Sequence, residues 1–130
     1  MQTISAFLEI GSRKLSLAEM SKHLGAPDKD ISFDKSRISK WAVWRLDSRI
    51  QETRPVDAHL RNLYRRASAR AKTAKRRFGA KVRISLNIGL FFNSDSARAF
   101  SEMKSPSLAR FLPFVDCVEV SAYPYVKRKG

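Results

Sequence analysis

The sequence predicts an α+β domain: a ferredoxin-like split βαβ sheet of about four strands, helices on one face, and a long helix inserted between two βαβ units. Three observations predict it. Four segments, 3–10, 38–47, 82–92 and 115–122, carry the apolar alternation or short apolar run of strands. The stretches between them carry helical start and stop signals, giving the order strand, helix, strand, long helix, strand, helix, strand. The clearest strand has a mostly polar second face, so helices are expected on one side of the sheet only. The compact solution is two units, each with parallel strands and a strand of the other unit between them.

The first strand sets Ile4, Ala6, Leu8 and Ile10 against Ser5, Phe7 and Glu9, and Gly11 ends it. Ser16 and Glu19 then match a capping box, with Leu15 and Met20 spaced as a hydrophobic staple. Leu17, Met20 and Leu24 form a short apolar stripe, and Gly25 and Pro27 terminate it, which predicts a helix over 17–24. Residues 28–36 are polar and read as a loop with room for a short edge strand. In the second strand Ala42, Trp44 and Leu46 line one face, and Trp41, Val43 and Arg45 the other. With a Trp on each face, both faces are expected to be at least partly covered.

Pro55 suits the first position of a helix, where its missing N–H is not needed. From there Val56, Leu60, Leu63, Ala67, Ala71, Ala74 and Phe78 recur at steps of three and four inside a stripe about 80° wide. Gly79 stops this long helix. Alanines on its last turns predict a close approach of its backbone to the sheet. Val82, Ile84, Leu86, Ile88, Leu90 and Phe92 alternate without a break in the third strand. Ser94 or Asp95 caps a further helix through Ala97, Phe100 and Met103. Pro106 restarts it as a piece holding Leu108, Phe111 and Leu112. The last strand follows, ended by Tyr123, Pro124 and Tyr125. Residues 1–126 are expected to form one domain, and 127–130 a basic tail.

Composition narrows the function. At 43% hydrophobic the chain can bury a real core, and its lone cysteine, Cys117, excludes an intrachain disulfide. The first ten residues include Glu9 and lack the charge pattern of a signal peptide, and no apolar run approaches a membrane span. A cytoplasmic location is expected. The formal net charge is +14, and ten of the 26 basic residues lie in residues 58–94, which contain no Asp or Glu. Outside that block 16 basic residues face 12 acidic ones. The basicity is therefore local, and it predicts an anionic partner met by one surface.

Several short motifs occur together: a first strand and short helix ending Leu24, Gly25, Ala26 and Pro27, Trp41 after a Ser/Lys-rich approach, His59-Leu60 opening the long helix, and the alternating close over 115–120. In these motifs the chain resembles a bacterial family of small α+β proteins, domain of unknown function 4279. The resemblance implies a bacterial cytoplasmic protein. It carries no assigned activity, and no catalytic or ligand residues to transfer. The basic run on the long helix is not part of that pattern.

On the long helix Arg61, Arg65, Lys72 and Arg76 fall about 120–180° from the centre of the apolar stripe and are expected to face solvent. Arg66, Arg70 and Arg77 flank one side of the stripe and Lys75 the other, while Lys81 and Arg83 belong to the sheet's open face. Apart from Asp57 one turn before Arg61, no carboxylate lies at helical spacing. Either acids elsewhere (Glu9, Asp47, Glu52, Glu119) pair with these cations, or the face is merely solvated, or a partner supplies the charge. The last is preferred. Arg61, Arg65, Lys72, Arg76, Arg66 and Arg83 are the predicted anion-binding residues.

A second candidate surface is the open sheet face with Phe7, Trp41, Arg83, Asn87 and Tyr123, which would suit base stacking. The third strand lacks the glycine and aromatic run of RNA-binding sheets, and Trp41 is expected to pack beneath 28–36 instead. His23 and His59 are expected as satisfied surface or boundary residues, Cys117 as a buried inert thiol, and Asp28 and Asp30 as turn residues. No catalytic set, metal cluster or phosphate loop emerges, so no enzyme activity and no cofactor are expected. The expected function is a binding domain whose basic helix contacts nucleic-acid backbone. The alternative is a protein-interaction module of immunity or anti-defence type that binds an acidic protein.

Overall fold

A computed structural model describes residues 3–32, 41–92 and 105–124. The elements in order are β1 (Thr3–Ser12), α1 (Leu17–Leu24), β2 (Lys29–Ser32), β3 (Ala42–Asp47), α2 (Val56–Phe78), a 3₁₀ turn (Gly79–Lys81), β4 (Arg83–Phe92), α3 (Ser105–Ala109) and β5 (Cys117–Pro124). The strands form one mixed sheet in the order β2-β3-β1-β4-β5. The α+β class and a long helix between the two halves of the sheet are as the sequence predicts. The expected helix over 94–103, the start of the second strand at 38–40 and the tail at 127–130 lie outside the described residues.

A split βαβ unit is present, and its partition differs from the expected one. β1 pairs antiparallel with both β3 and β4, so β3 and β4 run in the same direction with β1 between them. α2 joins those two strands and is itself the crossover, rather than an insertion between units. β4 and β5 are parallel direct neighbours. Length accounts for the first difference. α2 has 23 residues, about 35 Å at 1.5 Å per residue, which matches a ten-residue strand of about 33 Å. α1, with eight residues, spans only about 12 Å. It makes a shorter crossover to β2, an edge strand antiparallel to β3 and so parallel to β1, with β3 between them. β2 makes the sheet five-stranded, against the expected four or so.

Register follows the apolar pattern. Leu8 faces Leu46 and Leu86, and Ile10 faces Trp44 and Ile84, so these six side chains point to the same face. A slip of one residue would turn each set to solvent. Leu8, Ile10, Trp44, Leu86 and Leu90 are fully buried, each worth roughly 1.5–3 kcal/mol against exposure. α2 covers this face with the predicted stripe. Val56, Leu60, Leu63, Ala67, Ala71 and Ala74 are all buried, and Phe78 packs at the margin. The alanines leave no room between the helix and the sheet, as their small volume predicts.

The caps explain where the helices begin and end. The Ser16 hydroxyl accepts the Glu19 N–H at 3.1 Å. The expected reciprocal box does not close, because the same hydroxyl donates its proton to Glu19 Oε1 at 3.2 Å. Leu15 and Met20, expected as a staple, both reach the core. Pro55 sits one position earlier than expected, as the N-cap of α2 with extended ψ. Gly25 and Gly79 take positive φ after α1 and α2, a conformation that costs other residues more. Ser12, buried at the end of β1, donates to the Lys81 carbonyl at 2.6 Å and accepts from the N–H groups of Lys14 and Leu15. It therefore ties the close of β1 to the turn after α2. In the last helical piece Phe111 is fully buried, while Leu112, expected beside it, is exposed. The chain turns over 110–114, so the helical period that would have buried both is not maintained.

Candidate functional site

The outer face of α2 carries the predicted row. Arg61, Arg65, Lys72 and Arg76 are all exposed. Taking 100° per residue they fall within about 60° of one another, along about 22 Å of helix axis. Among the described residues none of the four has a carboxylate within 4 Å. Lys72 instead lies 5.9 Å from the rings of both Tyr64 and Phe114. With no acid in contact with them among the described residues, the cations gain little by folding and leave their charge available to a partner.

Two further arginines join this face, and the sequence gives no local signal for either. Arg54 lies in the turn before α2 and Arg110 just after α3. Together with Arg61, Arg65, Asn62 and Tyr64 they line a concavity of about 410 Å³, floored by Ile50 and Ala58. Tyr64 is held there edge-on against Phe111 at 5.5 Å and tilted against Phe114 at 6.2 Å, with the Arg110 guanidinium 5.8 Å from its ring. Asn62 accepts the Arg49 backbone N–H through Oδ1 at 2.8 Å, which leaves its NH₂ as the free end of the amide. Only the folded chain brings Arg54 and Arg110 together, which is why a reading of helical periodicity misses both.

Arg66 is not part of this surface. Its guanidinium grips Asp28 with two hydrogen bonds, Nη1 to Oδ2 at 2.7 Å and Nη2 to Oδ1 at 3.0 Å. It also donates to the Asp47 carbonyl. Asp28 further accepts Arg49 Nη2 at 2.6 Å and the Asp47 N–H at 2.9 Å. Its side chain is 11% exposed, and that of Arg66 23%. The Arg66 hydrogen bonds hold the Asp28 carboxyl well below its ordinary range, against the opposing effect of burial. The same pair raises Arg66 further. Asp28, expected as a turn residue, is thus the anchor that ties the approach to β2, the end of β3 and α2 together. Arg66, expected to bind an anion from outside, already has one from inside.

The flanking cations are also placed. Arg70 lies 5.8 Å from the Trp44 ring, whose indole N–H donates to the Gly25 carbonyl at 2.9 Å. Lys75 donates to the Pro113 carbonyl at 3.1 Å. Both cations therefore pack against the fold beside the row.

The open sheet face differs from a stacking platform. Phe7 is covered by the Arg45 guanidinium at 3.6 Å, and Arg45 is in turn paired with Asp47 at 2.8 Å. Trp41 is the residue expected beneath 28–36, of which 33–36 lie outside the described residues. It lies against Gly11, where an added Cβ would stand 3.2 Å from the ring, and Arg13 sits 4.7 Å from its centroid. The bare glycine surface lets the indole come flush with the sheet. Arg83 is exposed and shares a recess of about 250 Å³ with Trp41 and Glu9. Burial raises the Glu9 carboxyl, Arg45 lowers it, and Glu119 and Asp47 raise it again. This face thus mixes its charges and lies on the side of the sheet away from α2, apart from the helix row.

The remaining residues depart from expectation in two cases. His59 is buried. Its Nδ1 lies 2.7 Å from Ser48 Oγ, and among the described residues its buried Nε2 has no hydrogen-bond partner. Cys117 is half-buried on the open face and free. His23 is exposed, as expected, and packs edge-on against Phe78 at 5.7 Å. Among the described residues, no helix is long and apolar enough to cross a membrane. No family model matches the chain, and no curated protein or solved structure matches it either. The resemblance to family 4279 therefore rests on the sequence motifs alone.

Proposed function

We propose that this protein is a non-enzymatic binding domain that lays the outer face of α2 against nucleic-acid backbone. One observation carries the proposal: Arg61, Arg65, Lys72 and Arg76 form a straight, exposed row with no carboxylate within 4 Å among the described residues. About 22 Å of helix axis corresponds to about six base pairs at 3.4 Å per step along one strand. Guanidinium and ammonium groups spaced this way meet several phosphates along one strand and release their counterions. Phosphate contacts position a protein without reading bases, so sequence preference is weak. Arg83 contributes little, because it stands on the other side of the sheet beside Glu9.

Charge reversal tests this. Replacing Arg61, Arg65, Lys72 and Arg76 together by Glu abolishes binding to a 20-base-pair duplex in a low-salt anisotropy titration, while Arg83→Glu alone does not. All five side chains are exposed, so the variants fold, and circular dichroism checks that they do. Undiminished binding by the fourfold variant would refute the proposal. The alternative of an acidic protein partner is supported instead if a complex captured from cells survives nuclease treatment.

A further inference from the structure

The geometry points to the concavity at the N-terminal end of the row as a site for a terminal phosphate monoester, the phosphorylated end of a nucleic-acid strand. This rests on the reading of α2 as a backbone-binding face and assigns the end of that face a distinct ligand. Arg54, Arg61, Arg65 and Arg110 come from three segments of the chain and line one recess of about 410 Å³, and among the described residues no carboxylate lines it. That volume lies within the range of roughly 300–1,000 Å³ typical of small-ligand sites.

Charge and shape select the class of ligand. An internal phosphodiester carries one negative charge and has sugars on both sides, so it suits an open row. A phosphomonoester carries about −1.5 to −2 at pH 7 and three acceptor oxygens. It projects from the end of a strand and can enter a recess. Guanidinium forks match phosphate oxygens in pairs, which lysines do not. The four cations at this end are all arginines, whereas the row beyond includes Lys72.

Two details extend the fit past the phosphate. Tyr64 is fixed by Phe111 and Phe114 and gives the recess a rigid aromatic wall for the terminal sugar or base. The Asn62 NH₂, oriented by the Arg49 N–H on its oxygen, offers a neutral donor. Arg65 belongs both to the recess and to the row. A strand whose end sits in the recess is therefore led out along Lys72 and Arg76, which distinguishes a polynucleotide end from a free nucleotide.

The experiment compares internally labelled single strands of twelve nucleotides and the corresponding duplexes, bearing a 5′-phosphate, a 3′-phosphate or hydroxyls at both ends, by anisotropy at constant salt. A phosphorylated end of either polarity is expected to bind about tenfold more tightly than the hydroxyl-ended strand, from the charge-assisted bonds it adds. The double variant R54Q/R110Q is expected to bring that ratio close to one, with its fold checked by circular dichroism. Equal affinity for all ends, or a preference that persists in R54Q/R110Q, would overturn this assignment and leave backbone binding by α2 standing. Failure of every strand and duplex to bind at low salt would overturn both.

Discussion

Asp28→Asn removes one charge and little volume, and the structure says what that charge holds. The Asp28 carboxylate accepts four hydrogen bonds: two from Arg66, one from Arg49 and one from the Asp47 N–H. The Arg49 contact counts for little, because its side chain is 68% exposed and surface pairs are worth about 0–1 kcal/mol. The Arg66 pair counts for more. A hydrogen bond to a charged group is worth about 1.5–3 kcal/mol, and the loss leaves a guanidinium facing an amide in a largely enclosed place. Discounted for the partial exposure of Arg66, the expected loss is about 2–3 kcal/mol at pH 7. A double-mutant cycle with Arg66→Gln, read from urea unfolding midpoints, should give a coupling of about 1–3 kcal/mol.

The pH dependence gives an independent check on the same pair. The Asp28 carboxyl titrates lower in the native state than in the unfolded chain. Its contribution to stability is therefore fully present above about pH 3.9, the unfolded value, and is lost as the pH falls through the native one. The gap between wild type and D28N should stay constant from about pH 8 to pH 5 and narrow only below about pH 4. A coupling below about 0.5 kcal/mol, within the ordinary additivity error, or a gap that closes near neutral pH, would refute the reasoning.

Three further outcomes are expected. His59 is held neutral chiefly by burial, against the opposing pull of the Gln51 backbone, so its native value lies below the ordinary one. The unfolded chain then takes up the proton first, stability falls as the pH drops below about 6.5, and His59→Leu should flatten the unfolding midpoint between pH 7 and pH 5. Ala71→Leu places a large side chain where α2 meets the sheet with no space and should cost about 1–3 kcal/mol by calorimetry. Trp44→Phe leaves the Gly25 carbonyl without its indole donor and should cost about 1–3 kcal/mol, read from the same unfolding curves.

How far the sequence reaches is clear from particular residues. The stripe from Val56 to Phe78 predicts the buried face of α2 because helical geometry fixes which residues share a side. The same geometry places Arg61, Arg65, Lys72 and Arg76 opposite it. Period-two alternation gives β1 and β4 their inward faces. Strand order is not visible in this way, since alternation states which face a residue takes and not which strand lies beside it. Asp28 and Arg66 are 38 residues apart, and their pairing depends on α1 and β3 having already placed Asp28 beside α2. Arg54 and Arg110 lie far apart in the sequence and carry no pattern in common. His59 reads as a boundary residue by composition, but it falls next to the apolar stripe on the first turns of α2, and burial follows from that place.

The central claim is that four exposed cations on α2, without an ion-pair partner among the described residues, meet phosphates, and counterion release measures it most directly. The logarithm of the affinity for duplex DNA, plotted against the logarithm of salt concentration, should fall with a slope of about −3.6 for four neutralised phosphates. Each single neutralisation among Arg61, Arg65, Lys72 and Arg76 should make that slope shallower by about 0.9, and Arg66→Gln should lower stability while leaving it unchanged. A slope near zero, or one that responds to Arg83→Gln and not to the four, would contradict the account.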